Sequence, residues 1–322
     1  MTAYNIKAKF RGETRPILIT GTNRSGTTWL GKMLSYSPEL SYIHEPFNPQ
    51  TLPFIHHLVP PPFDHHFHYV TDQTSAETER YMAHRLGLFY PWLEDVKVRP
   101  DPKRMVGATL RWQRYRKIHS SLRRPLLKDP LALMSVDWLV DLLDPDVVVS
   151  IRHPAAYVSS IKRMNWDVGP RLFLTQPALC DTLIAPFVDE LRALEAKTDR
   201  DVIDEAILAW RIFHYVIRLY QEKYPNFIFV RTEDLSRNPL TEFEQLYQRL
   251  DLSFTQEARN QIAAHSSTAN TQEAPTGRAD QIARDSQATI SVWKNRLSSD
   301  EIDRIRNQTS DISPYFYGDE DW

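Results

Sequence analysis

The densest chemistry in the chain lies near its start. Gly21-Thr22-Asn23-Arg24-Ser25-Gly26-Thr27-Thr28 sets two glycines five positions apart, with a guanidinium between them and two hydroxyls after them. An apolar run, Ile17-Leu18-Ile19, precedes this stretch, and Trp29-Leu30 continues it as a helix. Strand, glycine loop and helix N-terminus together make an anion cradle. The loop turns backbone N–H groups inward, and the helix adds unsatisfied donors and the positive end of its dipole. A nucleoside-triphosphate loop of the pattern G-x-x-x-x-G-K-[ST] carries Lys directly after the second glycine, where it reaches the β- and γ-phosphates. Here Thr27 takes that position and the cation is Arg24, inside the loop. The stretch therefore suits a phosphate-like anion better than ATP hydrolysis.

A second grip on an anion comes from Arg152 and Ser160. Arg152 follows the β-branched run Val147-Val148-Val149-Ser150-Ile151, and Ser160 stands two turns into the helix that Pro154 opens. A planar fork of donors and a hydroxyl can hold one anion from two sides. Two anion sites fit a nucleotide with a 5′ anionic chain and a separate 3′-phosphate. ATP needs only one.

The elements that must position these groups are strands separated by helical stretches. Ile17–Ile19, Leu40–His44, a short strand ending at Lys128, Asp146–Arg152 and Phe227–Val230 read as strands. Helices are expected after Thr27, from about Ser135 to Leu143, from Pro154 to about Met164, and from Ala178 to Tyr224 with a polar break near 198–201. Another runs from Asn238-Pro239 to about Leu250. Two capping-box signals, Thr74 to Glu77 and Ser298 to Glu301, announce further helices, the first running through Tyr90. This alternation predicts a mostly parallel, three-layer α/β fold. Ligands of such sheets bind outside the carboxyl ends of the strands, where Gly21, Glu45, Lys128, Arg152 and Arg231 would gather. Neighbours on an extended strand face opposite ways, so only one of His44 and Glu45 should face that end.

Composition narrows the classes. The chain has 322 residues, 42% of them apolar, and a formal net charge of −2. That balance argues against a nucleic-acid coat or a polybasic membrane anchor, and no run of 18 apolar residues exists. A single cysteine, Cys180, excludes an internal disulfide or thiolate zinc cluster. A soluble, cytoplasmic protein is expected. The whole chain, 1–322, reads as one domain with a Pro/His-rich insertion at about 51–104. The histidines at 56–57 and 65–68 are adjacent pairs among prolines, without the i,i+4 spacing of a metal-binding helix, so a solvated or substrate-lining loop is the reading and no metal is expected. His214 and Trp210 fall on an apolar stripe and read as core. The basic stretch from Arg99 to Arg124 is a solvated face or, beside an active site, a draw for an anionic acceptor such as a glycan.

Taken as an ordered set, these features resemble sulfotransferases that use 3′-phosphoadenosine-5′-phosphosulfate (PAPS). Arg24-Ser25-Gly26-Thr27-Thr28-Trp29 resembles the 5′-phosphosulfate loop of that family, and Arg152 with Ser160 has the spacing of its 3′-phosphate site. Thr232-Glu233-Asp234-Leu235 and Trp293-Lys294-Asn295 are similar to further family segments. The resemblance covers 16–45 and 126 to about 305 and leaves the insertion unmatched. Arg24, in place of the Lys of cytosolic small-molecule enzymes, and Lys128-Asp129-Pro130, in place of their Lys-x-His strand, bring the chain nearer the carbohydrate and tyrosylprotein types. The glycine-rich tail loop is reduced to Thr276-Gly277-Arg278.

The resemblance implies a P-loop-like nucleotide fold and sulfuryl transfer from PAPS to a hydroxyl acceptor, without a metal. It implies that Ser25, Gly26, Thr27 and Thr28 hold the 5′ end with Arg24, and Trp29, beside the loop, is a candidate to stack on the adenine. Arg152, Ser160, Trp293 and Arg278 would hold the remainder. Arg24 and Lys128 are the candidate cations for the departing phosphate oxygen. Glu45 is the candidate base and His44 its alternative, an imidazole titrating near neutrality. The rival readings are an atypical P-loop kinase or NTPase, and a nucleotide- or glycan-binding module without chemistry. The acceptor and the oligomeric state are not legible in the sequence.

Overall fold

A computed structural model of the chain describes residues 5–50, 59–92, 102–120, 123–272 and 282–322. Five strands, β1 (Ile17–Gly21), β2 (Leu40–His44), β3 (Arg124–Lys128), β4 (Asp146–Ile151) and β5 (Ile228–Arg231), form one sheet in the order β2-β3-β1-β4-β5. β2 runs parallel to β3, and β4 parallel to β5. Helices separate the strands along the chain, so the fold is α/β, as the alternation predicts. No helix among the described residues is long and apolar enough to cross a membrane.

β1 and β4, which lead into the glycine loop and into Arg152, are buried along nearly their whole length. All five residues of β1 are buried, and so are the last five of β4. β-branched residues suit such positions, packed on both faces. At the end of β4, Pro154 opens a helix, Pro154–Met164, at the position where its missing N–H costs nothing. The helix stops at Asn165, which takes the left-handed conformation usual at such ends. The predicted stripe Ile207, Trp210, His214 and Ile217 lies on the helix Val202–Lys223 and is wholly buried.

Two compact units emerge from the packing: Met1–Leu18 with Glu39–Asp146, and Ile19–Pro38 with Val147–Trp322. In the first, Phe63 stacks on Phe47 at 5.2 Å and meets Tyr81 edge-on at 5.9 Å. In the second, Trp210, Tyr157, Phe213 and Phe173 are core residues, Phe213 meeting both Tyr157 and Phe173, with Phe243 and Tyr247 also buried.

Some elements depart from expectation. The helix after residue 70 spans Asp72–Arg85, and its capping box is Thr71 with Thr74, three residues before the expected one. Thr71 has extended backbone and can cap, whereas Thr74 is already in the first turn. The helix ends at Arg85, not Tyr90, because Gly87 adopts φ +76°. A long helix, Pro102–Ser120, has no counterpart in the sequence reading. It lacks the apolar period that would have revealed it. The capping box at Ser298 and Glu301 forms as predicted, each residue accepting the other's backbone N–H at 3.2 and 2.9 Å.

Candidate active site

The opening loop belongs to the second unit. Gly21 ends β1 at φ +140°, and a Cβ there would stand 2.3 Å from the carbonyl oxygen of Ser150. Only glycine allows this approach of β1 to β4. Arg24 and Gly26 are both left-handed, at φ +64° and +78°, and Gly26 caps the helix Thr27–Leu34. The first backbone bond of that helix runs from Leu30 N–H to Gly26 O at 3.0 Å, so the N–H groups of Thr27, Thr28 and Trp29 precede its hydrogen-bond ladder. Ser25 serves the loop itself. Its hydroxyl donates to Thr22 O at 2.6 Å, and its carbonyl accepts from the Ser150 and Thr232 hydroxyls.

The side chain of Arg24 turns toward the helix Pro154–Met164. Its Nε donates to Ser160 Oγ at 2.9 Å, and its guanidinium lies 5.3 Å over the ring of Trp166. Arg152 donates to the carbonyl oxygen of Arg24. Loop arginine, strand-end arginine and helix serine thus form one network inside one unit.

That network lines a cavity of about 90 Å³ together with Arg163, Arg284, Arg296 and Trp293. Such a volume holds several waters or one tetrahedral oxyanion. Five guanidiniums share it. Burial and then the repulsion of Arg152, Arg163, Arg284 and Arg296 bring the pKa of Arg24 down to about 10. Burial also lowers Arg152, although the carboxylate of Glu233 opposes the shift. Concentrated positive charge around one cavity favours an anion there.

The strand-end pair predicted on β2 and β3 belongs to the first unit. His44 and Lys128 are register partners, and Glu45 N–H donates to Lys128 O at 2.8 Å. The Lys128 ammonium, fully buried, donates to Glu45 Oε1, and Asn48 Nδ2 donates to Oε2 at 2.9 Å. Burial pushes the Glu45 carboxyl up, but Lys128 by charge and hydrogen bond, with Asn48 and His44, holds it below the ordinary range. His44 is lowered by burial and by Lys128, with Glu45 acting against the shift. Its imidazole is therefore neutral at neutral pH. The expected divergence of His44 and Glu45 does not occur. Glu45 leaves the strand at φ +37°, breaking the two-residue alternation, and His44 Nε2 comes within 3.8 Å of Glu45 Oε2. Beneath them lies Asp129, fully buried, which accepts from Phe47 N–H and from Leu131 N–H at 3.0 Å. Burial raises its pKa to about 7 despite these donors.

The Sulfotransferase family model matches residues 16–256. The chain belongs to the sulfotransferase family. No curated protein sequence matches it. Among solved structures it is similar to the sulfotransferase domain of the Synechococcus PCC 7002 olefin synthase, at 18% identity and a TM-score of 0.48, covering 94% of each chain. It is also similar to the sulfotransferase STF9 of Mycobacterium avium, at 13% identity and a TM-score of 0.43, covering 97% of this chain and 79% of that one. Mouse sulfotransferase SULT7A1, solved with PAP, is similar at 12% identity and a TM-score of 0.44, covering 97% and 90%.

In this sulfotransferase, Arg24, Arg152, Ser160 and Trp293 come together at the cavity. Trp293 stacks on the imidazole of His153, centroids 5.1 Å apart. Trp29 is not among the cavity-lining residues and packs edge-on against Phe243 at 5.2 Å. Arg278 lies outside the described residues, as do His56 and His57. Among the described residues, no group of three or more His, Cys, Asp or Glu is placed to hold a metal ion. Sequence reasoning missed Arg163, Arg284 and Arg296. Arg163 was within reach, since it stands one helical turn after Ser160 and shares its face. Arg284 sits in a segment with no pattern of its own, and Arg296 directly follows Trp293-Lys294-Asn295 without being part of that pattern.

Proposed function

We propose that this sulfotransferase moves a sulfuryl group from PAPS to a hydroxyl of a carbohydrate or other metabolite, by in-line displacement. The observation that carries the reading is the Arg24–Ser160–Arg152 network, which ties the 5′-anion loop to a second anion cavity in one unit. A donor with a 5′-phosphosulfate and a 3′-phosphate uses both, and a nucleoside triphosphate does not. On this reading the cavity takes the 3′-phosphate, and the N–H groups of Thr27 and Thr28 take the 5′ end.

Sulfuryl transfer resembles phosphoryl transfer, a loose displacement in which positioning and charge neutralisation do most of the catalysis. Arg24 and Lys128 are the proposed cations for the departing phosphate oxygen, and Glu45 the proposed base. A second assignment has its own support. Glu45 is engaged by Lys128 and Asn48, whereas His44 is half-exposed, neutral and close to the Glu45 carboxylate. In that version His44 takes the proton and Glu45 stabilises the imidazolium that forms.

Calorimetric titration with 3′-phosphoadenosine 5′-phosphate and with ATP tests the donor class. The bisphosphate should bind and ATP should bind at least tenfold more weakly. Tighter binding of ATP would overturn the proposal. Transfer of labelled sulfate from PAPS across a panel of hydroxyl acceptors then identifies the acceptor.

A further inference from the structure

The peptide group between Arg152 and His153 is held at both ends by buried side chains. Its carbonyl oxygen accepts from Trp210 Nε1 at 2.9 Å. Its N–H donates to Glu233 Oε1 at 3.0 Å. The other oxygen of Glu233 accepts from the Tyr317 hydroxyl at 2.9 Å. Trp210 is fully buried, and Glu233 and Tyr317 are 6% and 4% exposed. The His153 ring completes the packing, stacked on Trp293 and met edge-on by Tyr317 at 4.9 Å and Trp322 at 4.5 Å. Arg231 lies 4.5 Å over the Tyr317 ring and pairs with Asp321.

This one peptide joins the two halves of the second anion site. Arg152 precedes it, and the helix carrying Ser160 and Arg163 starts immediately after it. A tilt of the plane would swing the Arg152 fork and re-aim the helix. Glu233, with a repulsive charge of its own, is a poor group to bring near a phosphate unless it does something else. Orienting the peptide is that something.

We infer that Trp210, Glu233 and Tyr317 are positioning residues for the 3′-phosphate: they clamp the Arg152–His153 peptide and so set the angle between Arg152 and Ser160. The inference rests on the donor reading above. It also gives a role to the tail. Tyr317 lies beyond residue 256, where the family match ends, and reaches back to fix a residue inside it.

The test is calorimetric binding of two ligands, 3′-phosphoadenosine 5′-phosphate and adenosine 5′-monophosphate, to the intact chain and four variants. Tyr317→Phe and Trp210→Phe each remove one donor and should weaken the bisphosphate about three- to tenfold, the worth of one hydrogen bond. The monophosphate, which lacks the 3′ group, should change less than twofold. Glu233→Ala should lose at least as much as Tyr317→Phe. Glu233→Gln should recover most of that loss, because its amide can accept from His153 N–H and donate to the Tyr317 oxygen. Equal weakening of both ligands would mean general damage and overturn the inference, as would unchanged bisphosphate affinity in folded Tyr317→Phe. Glutamine behaving like alanine would show that charge matters and geometry does not. If the unsubstituted chain preferred ATP, the donor reading itself would fail.

Discussion

At the scale of single residues, the choice between Glu45 and His44 is a question about protons. Glu45 is held below the ordinary carboxylate range of about 4.3, so as the base it would keep activity until the pH falls below that value. His44 is lowered from about 6.5, so as the base it would lose activity as pH falls through a region below 6.5. The acid limb of kcat/KM against pH therefore separates them. Glu45→Gln should abolish transfer and leave nucleotide affinity nearly intact, since Glu45 is not among the residues that line the cavity. With Glu45 as base, His44→Ala should keep the low acid limb. With His44 as base it should lower the rate by about 10²-fold or more, the usual worth of a general base. Either result distinguishes a base from a group that merely orients one.

At the scale of elements, the site depends on how closely β1 approaches β4. Gly21→Ala puts a methyl 2.3 Å from a backbone carbonyl, at a φ that alanine avoids. Backbone cannot yield as a flexible side chain does. The variant should lose about 1–3 kcal/mol or more of stability, seen as a lower Tm, and should weaken bisphosphate binding by displacing the loop. Full stability in Gly21→Ala would mean that the loop relaxes freely and does not define the site. These same elements were the ones legible in the sequence. Glycine spacing, β-branched runs and a proline after Arg152 are local signals, and the strand, loop and helix they imply formed where expected. The opposite facing expected of His44 and Glu45 failed because one left-handed residue cancels strand alternation, and nothing in Ile43-His44-Glu45-Pro46 announces it. The arginines at 284 and 296 were illegible for another reason. Their contact with the cavity is tertiary, made across more than a hundred residues of chain.

At the scale of the whole molecule, a net charge of −2 hides a strongly cationic pocket. Average charge says nothing of where charge is collected. An anion approaching this cavity should feel an attraction that salt screens over about 10 Å at 0.1 M. Bisphosphate association, followed by stopped flow, should slow several-fold between 20 and 200 mM salt. The double variant Arg284→Gln, Arg296→Gln should flatten that dependence. An unchanged salt slope would place those two guanidiniums outside the ligand's reach.

The five guanidiniums of the cavity have a consequence for turnover. On the proposed reading Arg24 also serves the departing phosphate oxygen, while Arg152, Arg163, Arg284 and Arg296 grip only the 3′-phosphate, a group that takes no part in bond making or breaking. Donor before transfer and bisphosphate after it present the same group to the same cations. Binding of this kind is uniform along the reaction: it captures the donor at low concentration but does nothing for the chemical step. It holds the spent nucleotide as firmly as the fresh one. The cost of secure capture is slow departure, so release of the bisphosphate is the step expected to limit the cycle, and the product to compete with the donor it came from.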